Sequence, residues 1–387
     1  MTGKRISEPH LLITIVATLS LALLNACASV PVDIIGVDNP RNSAAETVGA
    51  VKQTIYVATT RARSEDPAIL YTIDRNPGTL EFAKVDIYIP PNHKPGHVER
   101  PKSVPPDPEN EFVILDPYVF KDKRAFQADL NRTLAARPNG PARDTLLFVH
   151  GFNTDFPAAL MRGAQFTHDS GFQGVPIVFS WASYGKTLEY VYDLNSALHA
   201  RDDLIEAASA IASSKTTGAN LVAHSMGNLL TVEALRQAEI TGGINRSGKL
   251  RNVILASPDI DAELFAKQLK PFPRSARKFY VLISADDKAL AVSRKIAGGV
   301  DRVGDEPANE LEKLGVTVID LSKVKDTSSL NHTKFADSPE IVKLIGTRMN
   351  DGDSFDPGVP AGPLRNAGNI ANAVVGSAFG GGILVIQ

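Results

Sequence analysis

The stretch Asn220-Leu221-Val222-Ala223-His224-Ser225-Met226-Gly227-Asn228-Leu229-Leu230 (NLVAHSMGNLL) carries the strongest structural signal in this chain. Residues 220–224 form a short apolar run suited to a buried strand, and residues 227–238 have the composition of a helix. Ser225 lies at the bend between them. A strand that turns sharply into a helix leaves little room two residues either side of the bend, so small residues are required there. Gly227 meets that requirement, and Ala223 adds one methyl group where a second glycine is common. A serine at such a tip faces the positive end of the following helix and a nearby backbone N–H, the setting for acyl chemistry. The plainer alternative is a serine that only caps the helix.

Outward from this bend the chain has a regular rhythm. Apolar strand candidates are TLLFV (145–149), VPIVFSW (175–181), NLVAH (220–224), LRNVILAS (250–257), KFYVLIS (278–284) and VTVIDL (316–321). Helical stretches lie between them, notably 186–213, 227–238 and 287–297. Continuous apolar strands alternating with helices predict an α/β fold with a mostly parallel sheet covered on both faces. Such a sheet presents its functional residues just beyond the carboxyl ends of its strands. Upstream, residues 53–60, 80–89 and 111–115 read as further strands, 90–108 as a proline-rich loop, and Phe126, Leu130 and Leu134 as a helix ending near Pro138.

A serine hydroxyl needs a base to take its proton. His332 is the one histidine after Ser225, in a polar loop beyond VTVIDL, and is expected to be that base. His224, next to the serine, is read as structural. The acid that orients the imidazole is expected after KFYVLIS, where Asp286 and Asp287 stand; Asp287 opens a helix and is preferred. Asp259 and Asp261, after the preceding strand, are alternatives. His150-Gly151-Phe152-Asn153 follows TLLFV, and the backbone N–H of Phe152 is expected to pair with that of Met226 as an oxyanion hole. Trp181–Tyr184 is expected either to line the pocket or to pack in the core.

The 387 residues hold 41 basic and 43 acidic side chains and are 43% hydrophobic. This suits a globular core and gives no reason to expect nucleic acid as a partner. A single cysteine, Cys27, excludes an internal disulfide and cysteine-paired zinc sites. The eight histidines show no HExxH spacing, so no metal site and no cofactor are expected.

Lys4 and Arg5, the apolar run 11–24 and Asn25-Ala26-Cys27 describe an export signal, read as residues 1–26. The run is short for a bilayer-spanning helix, which needs about 20 residues. Leu24-Asn25-Ala26-Cys27 resembles the lipobox of bacterial lipoproteins, which implies lipid attachment at Cys27 and a place in the bacterial envelope on a membrane surface. Residues 27–50 read as a flexible tether, 51–349 as the folded domain, and 350–387 as an apolar, glycine-rich tail.

These motifs, with residues 179–186 (FSWASYGK), 190–197 (YVYDLNSA), 284–290 (SADDKAL) and the IYVATTRAR segment near Gln53, resemble a bacterial α/β-hydrolase family of unknown function. The match runs roughly from Gln53 to Met349. The resemblance implies the α/β-hydrolase fold and a triad at Ser225, Asp287 and His332, with no defined substrate. The expected function is a serine hydrolase acting on a small-molecule or lipid ester. The same residues suit an acyltransferase, and a noncatalytic envelope lipoprotein that uses the fold for binding is the alternative from another class.

Overall fold

A computed structural model describes residues 31–242, 245–274, 278–325, 330–351, 373–376 and 382–385. The strands are β1 (Val51–Thr59), β2 (Arg61–Arg63), β3 (Tyr71–Arg75), β4 (Glu81–Ile89), β5 (Val113–Val119), β6 (Thr145–Val149) and β7 (Val175–Ser180). They continue with β8 (Ala219–His224), β9 (Leu250–Ala256), β10 (Phe279–Ile283), β11 (Thr317–Asp320), β12 (Ala373–Gly376) and β13 (Gly382–Val385). The helices before β8 are α1 (Lys123–Ala135), α2 (Phe156–Ser170), α3 (Tyr190–His199) and α4 (Arg201–Ala212). After it come α5 (Met226–Ile240), α6 (Ala262–Gln268), α7 (Lys288–Ile296), α8 (Ala308–Glu312), α9 (Lys334–Asp337) and α10 (Pro339–Asp351).

Among the described residues one 11-stranded sheet runs in the order β12-β13-β11-β10-β9-β8-β6-β7-β1-β4-β5. From β1 through β11 the neighbours are parallel, and β4 and β5 add an antiparallel edge. Both faces are buried. Leu147 and Val149 of β6 enter one core cluster while Leu146 and Phe148 enter the other, which is why such a strand reads as an unbroken apolar run. Helix α1 shows the opposite pattern, with a single buried stripe of Phe126, Leu130 and Leu134 behind the Asp122 cap.

Three segments differ from the sequence expectation. The helical stretch 186–213 is a 3-10 turn (Thr187–Glu189) followed by two helices that meet at Ala200. The hairpin β2–β3 was not expected, because its polar residues give no alternation. The segment read as a flexible tether is fastened well before residue 50: Ile34 and Ile35 are buried, and Ile35 bridges Ile114 of β5. Two isoleucines in an otherwise polar stretch have apolar area to bury, and an open strand edge offers both cover and hydrogen bonds. Most of the glycine-rich tail lies outside the described residues. Its two described strands extend the sheet, β13 pairing parallel to β11 and β12 antiparallel to β13.

Candidate active site

Strand β8 ends at His224, and helix α5 begins at Met226. Ser225 between them has φ 52° and ψ −125°, a backbone conformation that non-glycine residues adopt only under constraint. The constraint is visible. The Ser225 N–H donates to Ala256 O of β9 at 3.0 Å, and the buried Asn228 amide donates to Ser225 O at 2.9 Å and Ala256 O at 2.8 Å. Two glycines let the adjoining turn press against this bend. A methyl on Gly227 would stand 2.3 Å from His150 O, and one on Gly151 would stand 2.8 Å from Ser225 Cβ. Ala223, by contrast, is fully buried and accommodated.

His332 Nδ1 lies 2.7 Å from Asp287 Oδ2, and the Asp287 side chain is fully enclosed. The other Asp287 oxygen accepts the Leu290 N–H at 3.0 Å, so one carboxylate caps α7 and holds the imidazole. With the Nδ1 proton given to Asp287, Nε2 is the nitrogen left as acceptor. The imidazole is brought to the elbow by His224. The His224 ring sits 4.7 Å from the His332 ring and 4.9 Å from Phe335, and its Nε2 lies 3.2 Å from His332 O. Burial pushes the His224 pKa well below its ordinary value, with His332 adding to the effect, so it is a neutral donor to that carbonyl.

The other carboxylates weighed for the acid are engaged elsewhere. Asp286 accepts from Lys334 Nζ at 2.6 Å and from Ser284 Oγ and Asn331; although burial opposes ionisation, these donors hold its pKa below the usual value. Asp259 receives Tyr190 OH at 3.0 Å and Ser293 Oγ at 2.5 Å. Asp261 caps α6.

The turn after β6 is fastened from behind. The Trp181 indole donates to His150 O at 2.8 Å and stacks on the His150 ring at 5.0 Å; Trp181 is fully buried, so it supports this turn from the core. Burial pushes the His150 pKa down to about 3, with the Arg61 charge contributing. Arg61 is itself fully buried. Its guanidinium donates to Thr154 O at 2.7 Å, Ser183 O at 3.0 Å and Ser180 Oγ at 2.9 Å. Burial lowers its pKa to about 10, opposed by Asp155 and Asp193. Asp193 collects Ser183 Oγ at 2.5 Å, Tyr184 N at 2.7 Å and Asn153 N at 3.3 Å, while burial raises its pKa. Phe152 packs edge-on to Tyr190 at 5.3 Å. Neither the Phe152 nor the Met226 N–H has an acceptor among the described residues.

Reading the sequence for single chemical groups missed Arg61, Asp193 and Asn228. For Arg61 and Asp193 the signal lay in the family motifs IYVATTRAR and YVYDLNSA.

The strand order and the turns at the carboxyl ends of β6, β8, β10 and β11 are those of an α/β hydrolase. Residues 122–348 match the model of an α/β-hydrolase family of unknown function (DUF900), and the chain belongs to that family. No curated protein matches it. Among solved structures it is similar to an esterase of Pyrobaculum calidifontis, with 12% identity, a TM-score of 0.35, and coverage of 59% of this chain and 93% of that one. A thermostable esterase from Pseudomonas putida ECU1011 shows 14% identity and a TM-score of 0.37 over 91% of this chain and 98% of that one. A mutant of the esterase rPPE gives the same identity, score and coverage.

Proposed function

We propose that the protein is a serine hydrolase that cleaves carboxylic esters through a covalent acyl-enzyme. The observation that carries this reading is the His332–Asp287 pair at 2.7 Å beside the strained Ser225 bend. Ser225 Oγ attacks the ester carbonyl while His332 Nε2 takes its proton, and Asp287 stabilises the imidazolium that forms. The developing oxyanion is received by the N–H groups of Phe152 and Met226, each such donor contributing roughly 2.7–4 kcal/mol. His332 then protonates the departing alcohol. Water, deprotonated by the same imidazole, releases the acid and restores Ser225.

A fluorophosphonate probe and a series of p-nitrophenyl esters of graded chain length test the reading. Labelling and turnover by the wild type, both lost in Ser225→Ala, are expected. A folded wild type that is neither labelled nor active overturns it in favour of a binding role. Acyl transfer to an added alcohol in preference to water would make it an acyltransferase.

We further propose that the chain is exported and held at a membrane of the bacterial envelope by a lipid on Cys27, which lies outside the described residues. The support is the basic, apolar and small-residue succession of residues 4–27. No helix among the described residues is long and apolar enough to cross a membrane. Radiolabelled palmitate should enter the wild type and not Cys27→Ser, and the variant should leave the membrane fraction.

A further inference from the structure

We propose that His93, His168 and Asp169 form a site for a divalent transition ion of the zinc type, far from Ser225. One ligand atom from each of these residues lies within 4.8 Å of the others. His93 stands in the loop after β4. His168 and Asp169 occupy the last turn of α2, and its residues 156–167 (about 18 Å of helix) separate them from the turn beside Ser225.

The surroundings have the form that metal-binding histidines use. His93 Nδ1 lies 2.7 Å from Glu99 Oε2, which fixes the ring and directs Nε2 toward Asp169 Oδ1 at 2.9 Å. A carboxylate behind an imidazole, with the opposite nitrogen facing the ion, is the usual outer support of such a ligand. The second oxygen of Asp169 is held by the Gly96 N–H at 2.7 Å and by Gln165 Nε2 at 2.6 Å, leaving Oδ1 to face the imidazoles. The His168 ring lies 5.5 Å from the His93 ring and has no hydrogen-bond partner among the described residues.

Charge points the same way. Neither Glu99 nor Asp169 is paired with a lysine or arginine among the described residues; both carboxylates face the His93 ring. On binding, the His93 Nε2–H bond breaks, its proton leaves to solvent and an Nε2–metal bond forms without any redox change. Two carboxylates then balance the doubly charged ion. Two imidazoles and one carboxylate suit zinc in particular, with water completing the shell at this half-buried place. The HExxH pattern could not reveal the site, because its ligands come from a loop and a helix far apart in the chain. Its role is to fasten the loop of residues 90–112 to α2.

Tag-free protein is dialysed against zinc and then against buffer, and metal is counted per chain. The wild type should keep one zinc, and its Tm should rise with zinc and fall back with chelator. Cobalt in its place should give the visible absorption of a low-coordinate ion. His168→Gln should weaken binding at least tenfold, Glu99→Gln should weaken it roughly tenfold or more, and the exposed His97→Gln should leave it unchanged. Absence of uptake by the wild type, or equal uptake by His168→Gln, overturns the proposal. If His168→Gln does not fold, X-ray absorption of the zinc-loaded wild type decides: two imidazole ligands are expected, and none or one refutes the site. Ser225→Ala should bind zinc like the wild type, so this result is independent of the esterase reading.

Discussion

Two turns of chain meet at Ser225, and they are held in different ways. The elbow of residues 223–228 is fixed mostly by its own backbone, by one buried asparagine and by the ladder to β9. The turn of residues 150–154 has two short-range side-chain bonds of its own, His150 Nδ1 with Gly151 O and Thr154 Oγ1 to Phe152 O, but leans mainly on other segments. It is held from the segment just after β7 by Trp181, from β2 by Arg61, and from α3 by Asp193. A bend set by local geometry needs small residues at the right places, whereas a bend set from a distance needs buried polar groups that satisfy one another. The first is set by small residues and hydrogen bonds close at hand, the second largely by hydrogen bonds from distant segments.

The largest test of this contrast concerns the pair that serves the elbow. Asp287→Asn keeps a good helix cap but no longer holds the productive imidazole tautomer, so kcat should fall about ten-thousand-fold with Tm little changed. A loss below tenfold would move the acid to another carboxylate. On the other flank, Arg61→Met leaves Thr154 O, Ser183 O and Ser180 Oγ without their donor. Slight displacement of the turn should lower kcat about a hundredfold with KM nearly constant, and Arg61→Lys should recover part of it. Equal rates in Arg61→Met and wild type would mean that the turn holds itself.

Steric control is tested by stability. Gly227→Ala forces a methyl toward His150 O and should cost roughly 1–3 kcal/mol in urea unfolding. Ala223→Gly should cost under about 1 kcal/mol. Similar losses in the two would erase the distinction. A further effect is read by pH. The unfolded chain protonates His150 near 6.5, while the folded one resists to about 3, so acid favours unfolding. This contribution is complete above 6.5 and is lost as pH falls toward 3, at roughly 1.4 kcal/mol per pH unit. Urea unfolding at stepped pH should show the slope, and His150→Asn should flatten it.

The same contrast explains what the sequence made legible. Continuous apolar runs marked β6 to β11, and the bend at Ser225 was readable because strand, turn and helix are adjacent in the chain. The choice among Asp259, Asp261, Asp286 and Asp287 was not, since all four follow strand ends. What distinguishes them is each one's partner in space: Tyr190 and Ser293, a helix cap, Lys334, or His332. Arg61 and Asp193 were hidden for the same reason. Charged residues read as surface unless the fold encloses them, and the enclosure of Arg61 depends on segments more than a hundred positions away.

With the lipid on Cys27 proposed above, the burial of Ile34 and Ile35 would set the length of a leash. From Cys27 to Ile34 is a span of seven residues, which even fully stretched reaches no more than about 25 Å. An acyl chain on that cysteine would therefore keep the folded body within one protein diameter of the bilayer. The folded body would then sample the water layer next to the lipid headgroups, and soluble molecules would reach its site only by diffusing into that layer.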